Sequence, residues 1–103
     1  MFFRPQIDLT PQEFKSKLND TNGIVIDCRT KEECAGGTWP DAIQWDWLSG
    51  EVHEHVGQLD KSKSYFLYCR AGSRSALAAA FLKSQGIQNA YNVGAYASVI
   101  SEA

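Results

Sequence analysis

Apolar positions in this chain fall into short runs separated by polar, turn-forming segments, and the spacing within each run assigns it to a strand or a helix. Ile7 to Leu9 reads as a short first strand. Thr10-Pro11-Gln12-Glu13 then has the form of a capping box with proline at the first helical position, opening a helix to about Asn19. Gly23-Ile24-Val25-Ile26-Asp27-Cys28 is a continuous β-branched run with a polar end, the pattern of a strand buried on both faces of a parallel sheet. A short helix over residues 31–35 and a turn at Gly36-Gly37 follow.

Pro40-Asp41 punctuates the chain before Ala42-Ile43-Gln44-Trp45, a short strand, after which Leu48 to Leu59 has helical spacing through Val52, Val56 and Leu59. Ser64-Tyr65-Phe66-Leu67-Tyr68 is rich in aromatic residues and predicts a central strand. Ser75 to Gln85 predicts a helix, with Lys83 in its last turn and Gly86 as its cap. Asn89 to Val93 reads as a last strand and Ala95 to Ser101 as a terminal helix. Alternating strands and helices imply a three-layer α/β domain, with a mainly parallel central sheet flanked by helices, in one unit over residues 1–103.

Composition narrows the function. A chain of 103 residues with 44% apolar and 21% charged positions and a net charge of -2 is ordinary for a globular protein and carries no nucleic-acid footprint. The longest apolar stretch, Ala76 to Leu82, is far short of the ~20 residues that cross a bilayer, so no membrane partner is expected. The N-terminus has only Phe2 and Phe3 before Arg4 and Pro5 and lacks the apolar core of a secretory signal, which predicts a cytoplasmic location. A periplasmic location follows instead if a leader was removed. Cys28, Cys34 and Cys69 form no C-x-x-C pair and are odd in number, which fits neither a disulfide framework nor a zinc site. No cofactor or metal is called for.

The chemistry gathers at Cys69-Arg70-Ala71-Gly72-Ser73-Arg74-Ser75, between the predicted central strand and its helix. Ligands of open α/β sheets bind beyond the carboxyl ends of the strands, which is where this segment lies. None of residues 70–75 is proline, so every backbone N–H is present, and Gly72 permits a positive φ. The loop can therefore curl into an anion nest, with the N-terminus of the following helix aimed at the same point. Arg70 and Arg74 add two positive charges close to the sulfur in sequence, surroundings that lower a cysteine pKa. A thiolate held this way can attack the outer sulfur of an anionic donor and keep it as a persulfide.

Four segments together resemble a rhodanese homology domain. They are Ile26-Asp27-Cys28-Arg29 with Glu32-Glu33, Gly37-Thr38-Trp39-Pro40-Asp41-Ala42-Ile43, Tyr68 through Ser75, and Gly86 with Tyr91-Asn92-Val93-Gly94. The resemblance implies a sulfurtransferase in which Cys69 is the catalytic, persulfide-bearing nucleophile and Arg70, Ala71, Gly72, Ser73, Arg74 and Ser75 bind the substrate. It implies a small anionic sulfur donor such as thiosulfate and a cyanide or thiol acceptor, with a protein sulfur acceptor as the alternative. The short ending Asn92-Val93-Gly94-Ala95-Tyr96 is most similar to the single-domain type of phage shock protein E. Thr38, Trp39, Asp41 and Ala95 depart from the family's usual His, Ile, Gly and Gly, and the closing Trp is absent. Tyrosine-type phosphatases place their arginine one position further from the cysteine than Arg74 stands here, so the shorter loop suits a sulfur atom better than a phosphate.

Other residues receive plainer readings. Cys28 and Cys34 are core or surface thiols, with a resolving role toward an oxidised Cys69 as the alternative. Asp27 and Arg29 brace the loop and the sheet. His53 and His55 lie two apart, which turns their rings to different sides of a helix and makes a solvated polar face. Trp45 packs in the core, while Trp39 and Trp47 either do the same or line a docking surface.

Overall fold

The computed structural model describes residues 4–103, so Phe2 and Phe3 lie outside the described residues. Four strands pair in parallel in the order β2-β1-β3-β4, where β1 is Ile24–Asp27, β2 Ile43–Gln44, β3 Tyr65–Cys69 and β4 Ala90–Ala95. Every strand-to-strand connection in such a sheet must cross over, and α2 Lys31–Cys34, α3 Glu51–His55 and α4 Ser73–Ser84 lie in those crossings, while α1 Pro11–Thr21 precedes β1 and α5 Tyr96–Val99 follows β4.

β3 is buried at all five positions, as a central strand with helices on both faces must be. On one face, Ile26, Leu67 and Cys69 pack against Val52 of α3 and against Ala78, Ala79 and Leu82 of α4. On the other, Val25, Phe66, Tyr68 and Val93 pack against Phe14 of α1, Trp39 and Val99 of α5. This is the three-layer α/β arrangement with a parallel sheet that the alternation of elements predicts.

Three elements differ from the sequence reading. Ile7 to Leu9 is not a strand: the Asp8 N–H donates to the Asn92 carbonyl at 2.8 Å, but the Asp8 carboxylate then takes the Asn92 N–H at 2.7 Å, so a side chain replaces the next rung of a ladder. The helix expected over Leu48 to Leu59 shrinks to α3 and a 3-10 turn over Val56–Gln58, because Gly50 enters it at φ 83° and Leu48 stays outside. The terminal helix likewise tightens into a 3-10 turn over Ile100–Glu102. By contrast, the capping box of α1 is present in full, with Thr10 Oγ1 accepting from the Glu13 N–H at 3.1 Å and Glu13 Oε1 from the Thr10 N–H at 2.8 Å.

Asp41, where the family usually has glycine, adopts φ 61°. The left-handed conformation of the turn is kept, and aspartate is among the side chains that tolerate it.

Candidate active site

Cys69 is the last residue of β3 and is fully buried, and Gly72 turns the chain at φ 94° into the first turn of α4. That turn requires glycine twice over. An L-residue is strained at this φ, and a Cβ here would lie 3.3 Å from the Gly94 Cα and 3.1 Å from the Ile7 Cδ1. The curled loop brings the Gly72 N–H to 3.1 Å and the Ser75 N–H to 3.5 Å from Cys69 Sγ, with the Ser75 hydroxyl at 3.4 Å. Burial raises the Cys69 pKa, but the Ser75 hydroxyl, the Ser75 amide and the amides of Ala71 and Gly72 outweigh it, and the thiol settles below its ordinary value.

The direction matches the sequence reading, but the cause differs. Arg74 forms a two-pronged ion pair with Glu33, Nη1 to Oε1 at 2.7 Å and Nη2 to Oε2 at 2.9 Å. Arg70 is exposed and forms no ion pair among the described residues. The donors that lower the pKa are thus loop amides and a hydroxyl, while Arg74 ties α4 to α2. The hydrogen bonds to Sγ come from Gly72 and Ser75, and the Ala71 amide adds to them in lowering the thiol's pKa.

Asn92, which sequence reasoning left without a role, holds this cradle in place. Its Oδ1 accepts from the Ser75 hydroxyl at 2.7 Å and the Gly94 N–H at 3.1 Å, and its Nδ2 donates to the Gly72 carbonyl at 3.0 Å and the Gln6 carbonyl at 2.7 Å. All four partners agree on one orientation of the amide, since exchanging O and N would set donor against donor. The single proton of the Ser75 hydroxyl is shared between Asn92 Oδ1 and Cys69 Sγ. The sequence signal available was a polar asparagine within the predicted last strand, Asn89 to Val93.

On the opposite face of the strands Asp27 and Arg29 form a brace, but it ties β1 to Tyr68 and to the segment from Glu33 to Gly37 rather than to the loop after Cys69. Arg29 Nη2 meets Asp27 Oδ2 at 2.9 Å and donates to the Gly37 carbonyl at 2.7 Å, and its guanidinium lies 4.0 Å from the centre of the Tyr96 ring. The Tyr68 hydroxyl donates to Asp27 Oδ2 at 2.6 Å and accepts from the Trp39 N–H at 2.9 Å. Trp39 is buried against Phe14, so it packs in the core. His53 stacks between Trp47 and Phe81 and His55 lies over Trp45, so the two rings diverge as their spacing predicts, but against aromatic partners rather than as a bare polar face. A groove of about 490 Å³ begins at Ala71 and runs between Leu9, Pro11 and Val93.

A parallel sheet whose central strand ends in a cysteine cradled by loop amides limits the candidates to a few families, and the comparison with known proteins decides among them. The model of the rhodanese-like domain matches residues 10–100. The chain belongs to the rhodanese-like family. It is 30% identical over 87 residues to a sulfurtransferase of Allochromatium vinosum, covering 84% of this chain and 79% of that one. It is 33% identical over 82 residues to the putative sulfurtransferase YtwF of Bacillus subtilis, covering 79% and 78%. Among solved structures, the rhodanese-like domain protein of Staphylococcus aureus superposes with a TM-score of 0.77 at 26% identity, over 91% of both chains. Membership in this family supports a transferase, and no helix among the described residues is long and apolar enough to cross a membrane.

Proposed function

We propose that this rhodanese-like chain moves the outer sulfur of thiosulfate, or of a similar small anion, to a thiol or cyanide through a persulfide on Cys69. The observation that carries the reading is the set of donors around Sγ: a thiolate stabilised by the Gly72 and Ser75 amides and the Ser75 hydroxyl is nucleophilic at neutral pH. It attacks the outer sulfur of thiosulfate, a new S–S bond forms, and the old one breaks with its electron pair leaving on sulfite. The same donors then face a persulfide anion. An acceptor attacks the terminal sulfur and returns Cys69 to the thiolate. Arg70, exposed at the loop, is the cation that draws in the anionic donor. Three free thiols suit a reducing cytoplasm.

Delivery to a protein acceptor is the second reading, favoured by the groove beside Ala71, which is far larger than cyanide needs. Intact mass after thiosulfate, then after cyanide, tests the main reading. One sulfur gained, lost again on cyanide and never gained by Cys69→Ser supports it; transfer retained by Cys69→Ser overturns it. A persulfide that ignores small acceptors would favour the protein acceptor.

A further inference from the structure

The chemistry above uses one cysteine and leaves a second beside it idle. β1 and β3 pair with Asp27 opposite Tyr68, and the Cys28 N–H donates to the Tyr68 carbonyl at 2.9 Å. That bond belongs to the Asp27–Tyr68 pair at the end of the ladder, and Cys28 and Cys69 are the next residues on the two chains. Side chains alternate along a strand, so the parity that places Ile26 and Leu67 on one face places Cys28 and Cys69 there too, and all four belong to one buried cluster. Neighbouring strands lie about 4.8 Å apart, inside the roughly 4.4 to 6.8 Å between Cα atoms that a disulfide spans. Cys34 does not share this position: it closes the short helix α2 and is not part of that cluster.

We propose that Cys28 discharges an unclaimed persulfide on Cys69, releasing sulfide and closing a Cys28–Cys69 disulfide. This rests on Cys69 accepting sulfur as described above. The Cys28 sulfur attacks the inner sulfur of the persulfide, so that the Cys28–Cys69 bond forms as the bond from Cys69 to the terminal sulfur breaks. The terminal sulfur departs with that electron pair as hydrosulfide and takes up the Cys28 thiol proton. The transferred sulfur is reduced by two electrons and each cysteine sulfur is oxidised by one, so no outside oxidant or reductant enters. Burial, and next the neighbouring Cys69, keep the Cys28 thiol well above its ordinary pKa and therefore protonated. Discharge is then slower than capture by an acceptor in solution, and it drains only sulfur that nothing has collected. The activity is a single sulfide release per chain, after which an external dithiol must reopen the disulfide.

The experiment loads wild type, Cys28→Ser, Cys28→Ala and Cys34→Ser with thiosulfate, removes the excess under nitrogen, and follows intact mass and free sulfide with time. Wild type and Cys34→Ser should pass from one added sulfur to the loss of two hydrogens and yield about one sulfide per loaded chain, the balance of the exchange. Both Cys28 variants should keep the added sulfur and release none. Persulfides equally durable in wild type and in both Cys28 variants would overturn the discharge while leaving the transferase reading intact. Failure of any chain to gain sulfur would overturn the transferase reading instead. Diamide, which oxidises neighbouring thiols without a sulfur donor, tests the placement separately: a Cys28–Cys69 peptide supports it, and a Cys34–Cys69 peptide or none overturns it.

Discussion

Glu33→Gln isolates the charge in the clamp between α2 and α4. Glutamine can still reach back to the Thr30 N–H, so the capping box that opens α2 survives, and the loss falls on the ion pair with Arg74. The Arg74 guanidinium, followed by the helix-cap donors, holds the Glu33 carboxyl at about 2 instead of 4.5, despite burial that pushes the other way. At about 1.4 kcal/mol per pH unit that displacement would amount to about 3 kcal/mol. The pair is partly wet, with side chains 18% and 24% exposed, so solvent screening brings the figure to about 1 to 2 kcal/mol. The carboxyl's pKa is depressed in the folded state, so its contribution is complete above pH 4.5 and is lost as pH falls toward 2. In urea titrations, with a slope of about 1 kcal/mol per molar for a chain of this size, Glu33→Gln should lower the midpoint by about 1 to 2 M at pH 7. The gap should narrow below pH 4.5. A gap that is absent at pH 7, or that stays constant down to pH 3, would refute the reasoning.

Ser75→Ala removes the hydroxyl donor from Sγ but keeps the amide, so the rate of Cys69 alkylation by iodoacetamide should rise at a higher pH than in wild type; an unmoved profile would deny the hydroxyl its role. Gly72→Ala forces a Cβ toward the Gly94 backbone at a positive φ, and we expect about 1 to 2 kcal/mol of destabilisation in the same urea assay together with slower alkylation. Tyr68→Phe leaves the buried Trp39 N–H unpaired and removes one donor from Asp27, a loss of about 1 to 3 kcal/mol that thermal melting would register as roughly 10 °C.

What the sequence disclosed was local, and what it withheld was long-range. A continuous β-branched run identifies β1, an aromatic run identifies β3, and Thr10 with Glu13 marks the start of α1, because each signal is complete within a few residues. The loop after Cys69 was legible for the same reason: absence of proline and one glycine at the turn suffice to predict inward-facing amides. The destination of Arg74 was not legible. Its neighbour in sequence is the cysteine, but its partner Glu33 stands 41 residues away. Asn92 was hidden in the same way, since its partners are Gln6, Gly72 and Ser75, and only the crossover topology brings these segments together. Ile7 to Leu9 failed as a strand because the Asp8 carboxylate intercepts the amide that a ladder would have used.

The dependence of the cradle on Asn92 also sets the order in which the protein is completed during synthesis. Cys69 leaves the ribosome before β4 exists, and at about 5 to 20 residues per second the interval before Asn92 follows is on the order of a few seconds. Throughout that time the chain carries its thiol on a strand edge with no partner on the β4 side, and the Gly72 carbonyl and Ser75 hydroxyl lack the amide that fixes them. Pairings distant in sequence form late. A nascent chain therefore carries an ordinary thiol at Cys69, and the sulfur acquires its lowered pKa only in a molecule whose last strand has docked.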